Sequence, residues 1–369
     1  MTKVESVLEL MKDSPLVALK GRRVSPPRAG LWGKLELAMP GGMKDRVALR
    51  MIEDAEARGD LRPGGVIAES SSGTLAEGLA RVGTLKGYRV IIVTDPRLDA
   101  MMAAKLRALG AELEIVDTYH PEGGWQRSRL ERLKEILDRH PGAFWTRQYD
   151  SPSNAGAYVE QMAGELATAL DGGPAALVAS VGSGGSLCGT ARGLKQWLPD
   201  LRVVAVDAVG SGLFHQPLRK RFQSGHGNNI VAGNIDYRLI DEVHWISDGE
   251  AFSACRELAR REGIFGGGSS GAVYIVASWI AHRLDSEQQV VAIFPDHGDR
   301  YCEQIYSDRF LAEHQLAGVE AAAEPRQLHY GVDVAESWSW AELPHDGSMP
   351  YHGAETARTC ELTRELGLP

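Results

Sequence analysis

The stretch LVASVGSGGSLCGTARGLKQWL, residues 177–198, decides how the chain is read. It opens on an apolar run suited to a buried strand and ends in a helical pattern, with Gly182-Ser183-Gly184-Gly185-Ser186 at the junction. Glycines at such a turn let the backbone approach an anion closely, and the free N–H groups of the first helical turn point at it. The hydroxyls of Ser183 and Ser186 add donors. The Lys-Ser/Thr ending of a nucleoside-triphosphate loop is missing, and Gly182, Gly184 and Gly185 do not have dinucleotide spacing. Two readings stay open: a seat for one phosphate, or a tight structural turn.

Outward from this stretch, short β-rich runs alternate with helix-period segments from about residue 30 onward. GGVIAES (64–70), YRVIIVTD (88–95), LRVVAVDAVG (201–210) and QVVAIFPD (289–296) predict buried strands. KDRVALRMIEDAEARG (44–59), SRLERLKEILDRH (128–140) and EAFSACRELARREG (250–263) predict helices. That alternation predicts an α/β protein of mostly parallel sheets flanked by helices. Beyond about residue 314 the periodicity weakens, and Trp338 and Trp340 suggest either an ordered arm packed on the body or on a second subunit, or a loosely ordered extension.

A length of 369 residues points to two domains rather than one small core. With 43% hydrophobic and 24% charged residues, a mainly disordered or fibrous chain is excluded. The net charge of −9 argues against nucleic acid or an anionic membrane as partner, while leaving room for a local basic pocket. Cys188, Cys255, Cys302 and Cys360 show neither disulfide-framework nor metal-ligand spacing, so no metal is expected. No signal-like or membrane-length apolar run is present, which predicts a soluble, cytoplasmic protein.

Three further segments carry chemistry. MPGGMKDR (39–46) sets Lys44 between a Pro-Gly-Gly turn and a helix start, where the positive field favours the neutral amine; a solvated surface lysine is the alternative. AESSSGTLAEGLA (68–80) places Ser70, Ser71, Ser72, Gly73 and Thr74 between a strand and a helix, a loop suited to a carboxylate. REGIFGGGSSGAVYIVASWI (261–280) places Ser269 and Ser270 before an apolar helix. Taken singly, either serine loop reads as an ordinary helix cap.

Together these segments resemble the cysteine synthase family of fold-type-II enzymes that use pyridoxal 5′-phosphate. PGGMKDR resembles the family's lysine motif, ESSSGTLA its substrate loop, GSGGSLCG its phosphate loop, and GGSSGA the loop whose serine faces the pyridine nitrogen. RQYDSPSN (147–154), GHGNNIVAGNID (225–236) and PDHGDRYCEQIYSD (295–308) add matches, so the resemblance spans about residues 5 to 314. It implies a larger cofactor-binding domain of residues 1–49 and 151–314, a smaller domain of 50–150 carrying the substrate loop, and a C-terminal extension of 315–369. Lys44 would be the lysine that carries the cofactor and moves the substrate proton. Gly182, Ser183, Gly184, Gly185 and Ser186 would hold the cofactor phosphate, and Ser269 would face the ring nitrogen. Ser71, Ser72 and Gly73 would bind the substrate α-carboxylate with Gln148. A neutral hydroxyl at Ser269 makes the ring a weaker electron sink than a carboxylate would, which favours expelling a β-leaving group.

The sequence also departs from the family. Thr74 stands where an Asn usually bonds the cofactor's 3′-oxygen, the lysine motif is one residue short, and His226, Asn228 and Asn229 alter the loop expected over the substrate. The body resembles the S-sulfocysteine synthases and the diaminopropionate-pathway synthases, both associated with O-phosphoserine. Within the basic run 219–221, Arg221 would then read the donor phosphate. The activity expected is β-replacement on O-phosphoserine or O-acetylserine by sulfide or thiosulfate, giving cysteine or S-sulfocysteine, in a homodimer. Two alternatives are the same chemistry with an amine such as L-glutamate, and a β-elimination lyase or dehydratase. A third, from another class, is a non-catalytic protein acting through its Trp-containing tail.

Overall fold

A computed structural model describes residues 3–22, 27–122, 124–344 and 359–368. Its first strands are β1 Leu16–Ala18, β2 Gly30–Leu35, β3 Val66–Ser70, β4 Arg89–Thr94, β5 Glu112–Ile115 and β6 Phe144–Trp145. β7 Ala176–Ser180, β8 Arg202–Ala208, β9 Glu242–Ile246, β10 Gln289–Phe294, β11 Arg326–Gln327 and β12 Ser339–Glu342 follow. The helices begin with α1 Lys44–Arg58, α2 Thr74–Leu85, α3 Ala100–Ala108, α4 Gly124–Arg139, α5 Pro152–Ala157 and α6 Ala163–Ala169. They end with α7 Gly185–Leu194, α8 Asp248–Glu262, α9 Gly268–Arg283, α10 Asp308–Glu313 and α11 Thr359–Glu365. Strands and helices alternate as the sequence predicts. Among the described residues, no helix is long and apolar enough to cross a membrane.

Contacts divide the chain into two units. The smaller comprises Met1–Lys12, Met39–Asn154 and Thr359–Pro369, the larger Asp13–Ala38 and Ala155–Arg358. Residues 1–12, 39–49 and 151–154 therefore group with the smaller unit rather than with the larger domain expected from the sequence. For 39–49 the reason is local: α1 packs on α2, where Gly78 leaves room for the Lys44 carbonyl that a Cβ would meet at 2.9 Å.

The smaller unit is built on a four-stranded parallel sheet in the order β5-β4-β3-β6. Ala68, Ile91 and Val93 pack on Leu130, Leu133 and Ile136, the apolar stripe of α4, with Leu368 joining them. Each large aliphatic side chain so buried contributes about 1.5–3 kcal/mol.

The larger unit has an eight-stranded sheet in the order β1-β2-β10-β7-β8-β9-β12-β11. Its centre from β2 to β9 is parallel, so its strands are apolar on both faces. α9 is buried along most of its length, and its Gly271 lets α8 approach; a Cβ there would lie 2.7 Å from Cys255 N. The tail closes this sheet. β12 runs antiparallel to β9, Trp338 Nε1 donates to His244 Nδ1 at 3.1 Å, and Trp340 stacks on the same imidazole. Residues 326–344 are thus an ordered arm on the body, while α11 packs with the smaller unit.

Candidate active site

In the smaller unit the candidate residues lie around the start of two helices. α1 begins at Lys44, just after a turn whose Gly42 has φ 90°. Gly41 N donates to Asp45 Oδ2 at 2.7 Å, and Arg81 Nη1 donates to Asp45 Oδ1 at 2.7 Å. The other end of the same guanidinium reaches Pro40 O at 3.3 Å and Glu77 Oε1 at 2.7 Å, and Lys105 Nζ meets that Glu77 oxygen at 2.7 Å. A Cβ on Gly41 would run into the Arg81 guanidinium. The turn ahead of Lys44 is thereby fixed to α2 by a buried ionic network. Burial pushes the Asp45 carboxyl up to about 6 against the pull of Arg81. The sequence reading missed this network, whose one visible trace was the i,i+4 spacing of Glu77 and Arg81.

Lys44 is half-buried, and burial pulls its ammonium down to about 8. The neutral amine, the form that attacks a carbonyl, becomes the major species above that pH instead of above 10.5. Uptake of pyridoxal phosphate by the apoprotein is therefore expected to quicken as pH rises through about 8 and then level off. Absorbance-monitored uptake rates from about pH 6 to 10 check this; a rate still climbing at the upper end would refute it.

The substrate loop leaves β3 at Ser70. Ser71 N donates to Val93 O at 3.1 Å, and Gly73 N donates to Ser71 Oγ at 3.4 Å. Gly73 is the N-cap of α2 with extended backbone, and no side chain caps the helix, so its first-turn N–H groups, beginning with Thr74, carry no side-chain cap. Ser72 Oγ accepts from Arg129 Nη1 at 2.7 Å. Gln148 approaches the same strand end: its N–H donates to Glu69 Oε2 at 3.4 Å, and its carbonyl accepts from Asn154 Nδ2 at 2.6 Å. Glu69 is the organiser here. Its buried carboxylate also accepts from Thr146 Oγ1 at 2.5 Å and Trp145 Nε1 at 3.3 Å, and burial raises its pKa. An acidic residue ending an apolar strand was its only signal in the sequence.

The larger unit holds the glycine loop where the sequence places it, between β7 and α7. Gly184 is the N-cap of α7 at φ 82°, and no side chain caps that helix. Its glycines are close-fitted: a Cβ on Gly182 would lie 3.0 Å from Gly225 O, and one on Gly184 would lie 2.9 Å from Ile235 N. Gly185 and Ser186 open the helix, and Ser183 and Ser186 are buried to within 8% and 6% of full exclusion. N–H groups without a side-chain cap, beside two buried serines, fit a phosphate monoester. Cys188 behind them packs: burial pushes its thiol up to about 12.

Ser269 is in the first turn of α9, fully buried, beside Ser270, whose hydroxyl is buried with no partner among the described residues. Arg221 differs from expectation in its surroundings. Its Nη1 donates to Gly210 O at 3.0 Å and Asn229 Oδ1 at 2.8 Å, and it faces the charges of Asp207 and Asp248. A guanidinium so engaged holds the 225–236 loop to the end of β8. Arg221→Ala is expected to lower kcat/KM for O-phosphoserine and O-acetylserine by the same factor. A loss confined to the phosphate donor would instead assign Arg221 to the phosphate.

Known proteins can now be set beside this geometry. The model of the family "Pyridoxal-phosphate dependent enzyme" matches residues 7–296. An N-(2-amino-2-carboxyethyl)-L-glutamate synthase of Ralstonia nicotianae is 39% identical over 329 residues, covering 88% of this chain and 97% of that protein. A synthase of the same name from Cupriavidus metallidurans is 38% identical over 311 residues, covering 83% and 91%. Among solved structures, a hydrogen sulfide-producing enzyme from Fusobacterium nucleatum aligns with a TM-score of 0.77 at 30% identity, covering 82% of this chain and 99% of that one. O-ureido-L-serine synthase aligns with a TM-score of 0.76 at 29% identity, covering 87% and 98%.

The expectation of a sulfur nucleophile is overturned by the two glutamate-named synthases, which are more similar to this chain than the sulfide-producing enzyme is. Cysteine and S-sulfocysteine fall with it as products, and O-phosphoserine gains no support as donor. The motifs misled because the roles they imply concern the cofactor and the donor, which sulfur and amine reactions share, and none of them was read for the nucleophile. Lysine turn, serine loop and glycine loop all stand within the matched region, and the chain belongs to the pyridoxal-phosphate dependent enzymes of fold type II.

Proposed function

We propose that the protein joins the amine of L-glutamate to the β-carbon of an L-serine activated at Oγ, forming N-(2-amino-2-carboxyethyl)-L-glutamate. The observation that carries this reading is the 39% identity across 97% of the Ralstonia synthase. In the reaction the donor's Cβ–O bond breaks, the leaving group departs with the electron pair, a C–N bond forms, and the amine gives up a proton. Pyridoxal phosphate, when bound, supplies the electron sink that acidifies the donor α-proton and lets the β-substituent leave. Lys44 Nζ, whose ammonium burial pulls down to about 8, takes that proton and returns it at the end. Ser71, Ser72 and the N–H groups of Gly73 and Thr74 bind the donor α-carboxylate with Gln148, orienting the α C–H bond. Residues Gly182 to Ser186 would hold the cofactor phosphate, and a Ser269 hydroxyl facing the ring nitrogen would favour departure of the β-substituent over transamination. A homodimer in the cytoplasm completes the reading, and sedimentation of the holoenzyme tests the dimer.

The test is a panel of O-acetylserine and O-phosphoserine against L-glutamate, other amino acids and sulfide, read by mass spectrometry. The glutamate adduct is the expected product with at least one donor. Cysteine alone, or pyruvate with no adduct, would overturn the proposal.

A further inference from the structure

We propose that a pocket of the smaller unit walled by Arg147 and Arg129 seats the side-chain carboxylate of the amine nucleophile, and that Arg147 selects an acidic acceptor. The proposal rests on the function proposed above and names how its second substrate is chosen. The pocket opens beside Ser70 and Gln148, next to the serine loop, with the Trp145 indole forming one wall.

Arg147 is unusual in two respects. It is a non-glycine residue at φ 50°, the left-handed region that a side chain disfavours, held there by Asp150 N and Ser151 N donating to its carbonyl at 2.9 and 2.8 Å. Its guanidinium lies over the Trp145 ring, 5.5 Å from the centroid, and makes no ion pair among the described residues. Arg81 and Arg129, by contrast, are each ion-paired to a buried aspartate. Strained backbone that presents an unpaired cation to a pocket is the arrangement expected where a ligand, rather than the fold, uses the charge.

Arg129 supplies the second, independent sign. One end of its guanidinium bonds Ser72 Oγ at 2.7 Å and Asp95 Oδ2 at 3.2 Å, yet its Nε is buried with no partner among the described residues. A buried N–H unmatched among the described residues calls for a partner, and a ligand in the pocket that Arg129 lines would supply one. The acidic lining does not cancel these cations. Glu69 is already engaged by Thr146, Trp145, Ser70 and the Gln148 N–H; Asp150 has partners of its own. A carboxylate on a short flexible chain matches a guanidinium fork, whereas sulfide or water has no use for one.

The test uses the holoenzyme with a donor that the wild type accepts. Arg147→Ala should raise KM for L-glutamate about 10- to 150-fold, the range of a lost charge-assisted contact. KM for the donor should hold, and so should kcat at saturating glutamate. The preference for glutamate over glutamine should collapse, and Arg147→Lys should restore part of it, which a purely structural role would not do. Arg147→Gly relieves the backbone and keeps the experiment readable if the alanine variant folds poorly. An unchanged KM for glutamate, or equal rises for donor and glutamate, would overturn the proposal while leaving the glutamate-adding activity intact. A wild-type enzyme that adds no amine at all would instead remove the activity, and this proposal with it.

Discussion

Lys44→Ala is expected to leave a folded protein that binds pyridoxal phosphate only non-covalently and turns over about 10²–10⁴-fold more slowly, the range for loss of a positioned acid–base group. The fold should survive because the Lys44 backbone, not its side chain, makes the close contact with Gly78, and because the fixing of the turn runs through Asp45 and Arg81. Borohydride reduction of the wild-type holoenzyme followed by peptide mass spectrometry should place the cofactor mass on the Lys44 peptide. The same treatment of Lys44→Ala should give none. A label on another lysine would remove Lys44 from its role.

Arg81→Ala should be the most destabilising single change near the site. It strips the cation from the completely buried Asp45, and breaking one side of a buried pair costs about 3–5 kcal/mol because the remaining charge stays out of water. Glu77 keeps Lys105 and suffers less. Gly41→Ala should imitate the effect, since the added methyl would displace the guanidinium without deleting it. Thermal melts of apoprotein should show both variants falling well below wild type, and the Arg81→Ala, Asp45→Ala double variant should recover part of the loss. If Arg81→Ala melts with the wild type, the network does not hold the lysine turn.

How much of this could be read from the chain differs by element. The parallel core strands were legible because burial on both faces leaves unbroken runs such as those of β4 and β10. The glycine loop was legible because close backbone approach admits few residues, so its composition is constrained at each position. β1 and β12 were not, because they are only three and four residues long and owe their state to the neighbours they meet. Glu69 and Arg81 were hidden for a different reason. Their roles depend on partners far apart in sequence, as in the bond from Thr146 to Glu69, and no local pattern announces a long-range contact. Arg221 shows a different gap: a basic run near a loop suggests a ligand, and only the structure adds that the same guanidinium also bonds Gly210 O and Asn229 Oδ1.

The pairing of β12 with β9 bears on how the molecule is made. A ribosome that has passed Ser269 has already delivered every residue assigned here to cofactor or substrate, yet the flank of β9 is still open. An open strand flank in a nascent chain is a template for aggregation. Translation halted between residues 314 and 338 would therefore release a polypeptide complete in its chemistry but prone to clump. Such a product would be sorted by chaperones and proteases, with no help from any defect in catalysis. The last strand laid down acts as a seal on synthesis, separating the lifetime of the enzyme in the cell from its turnover.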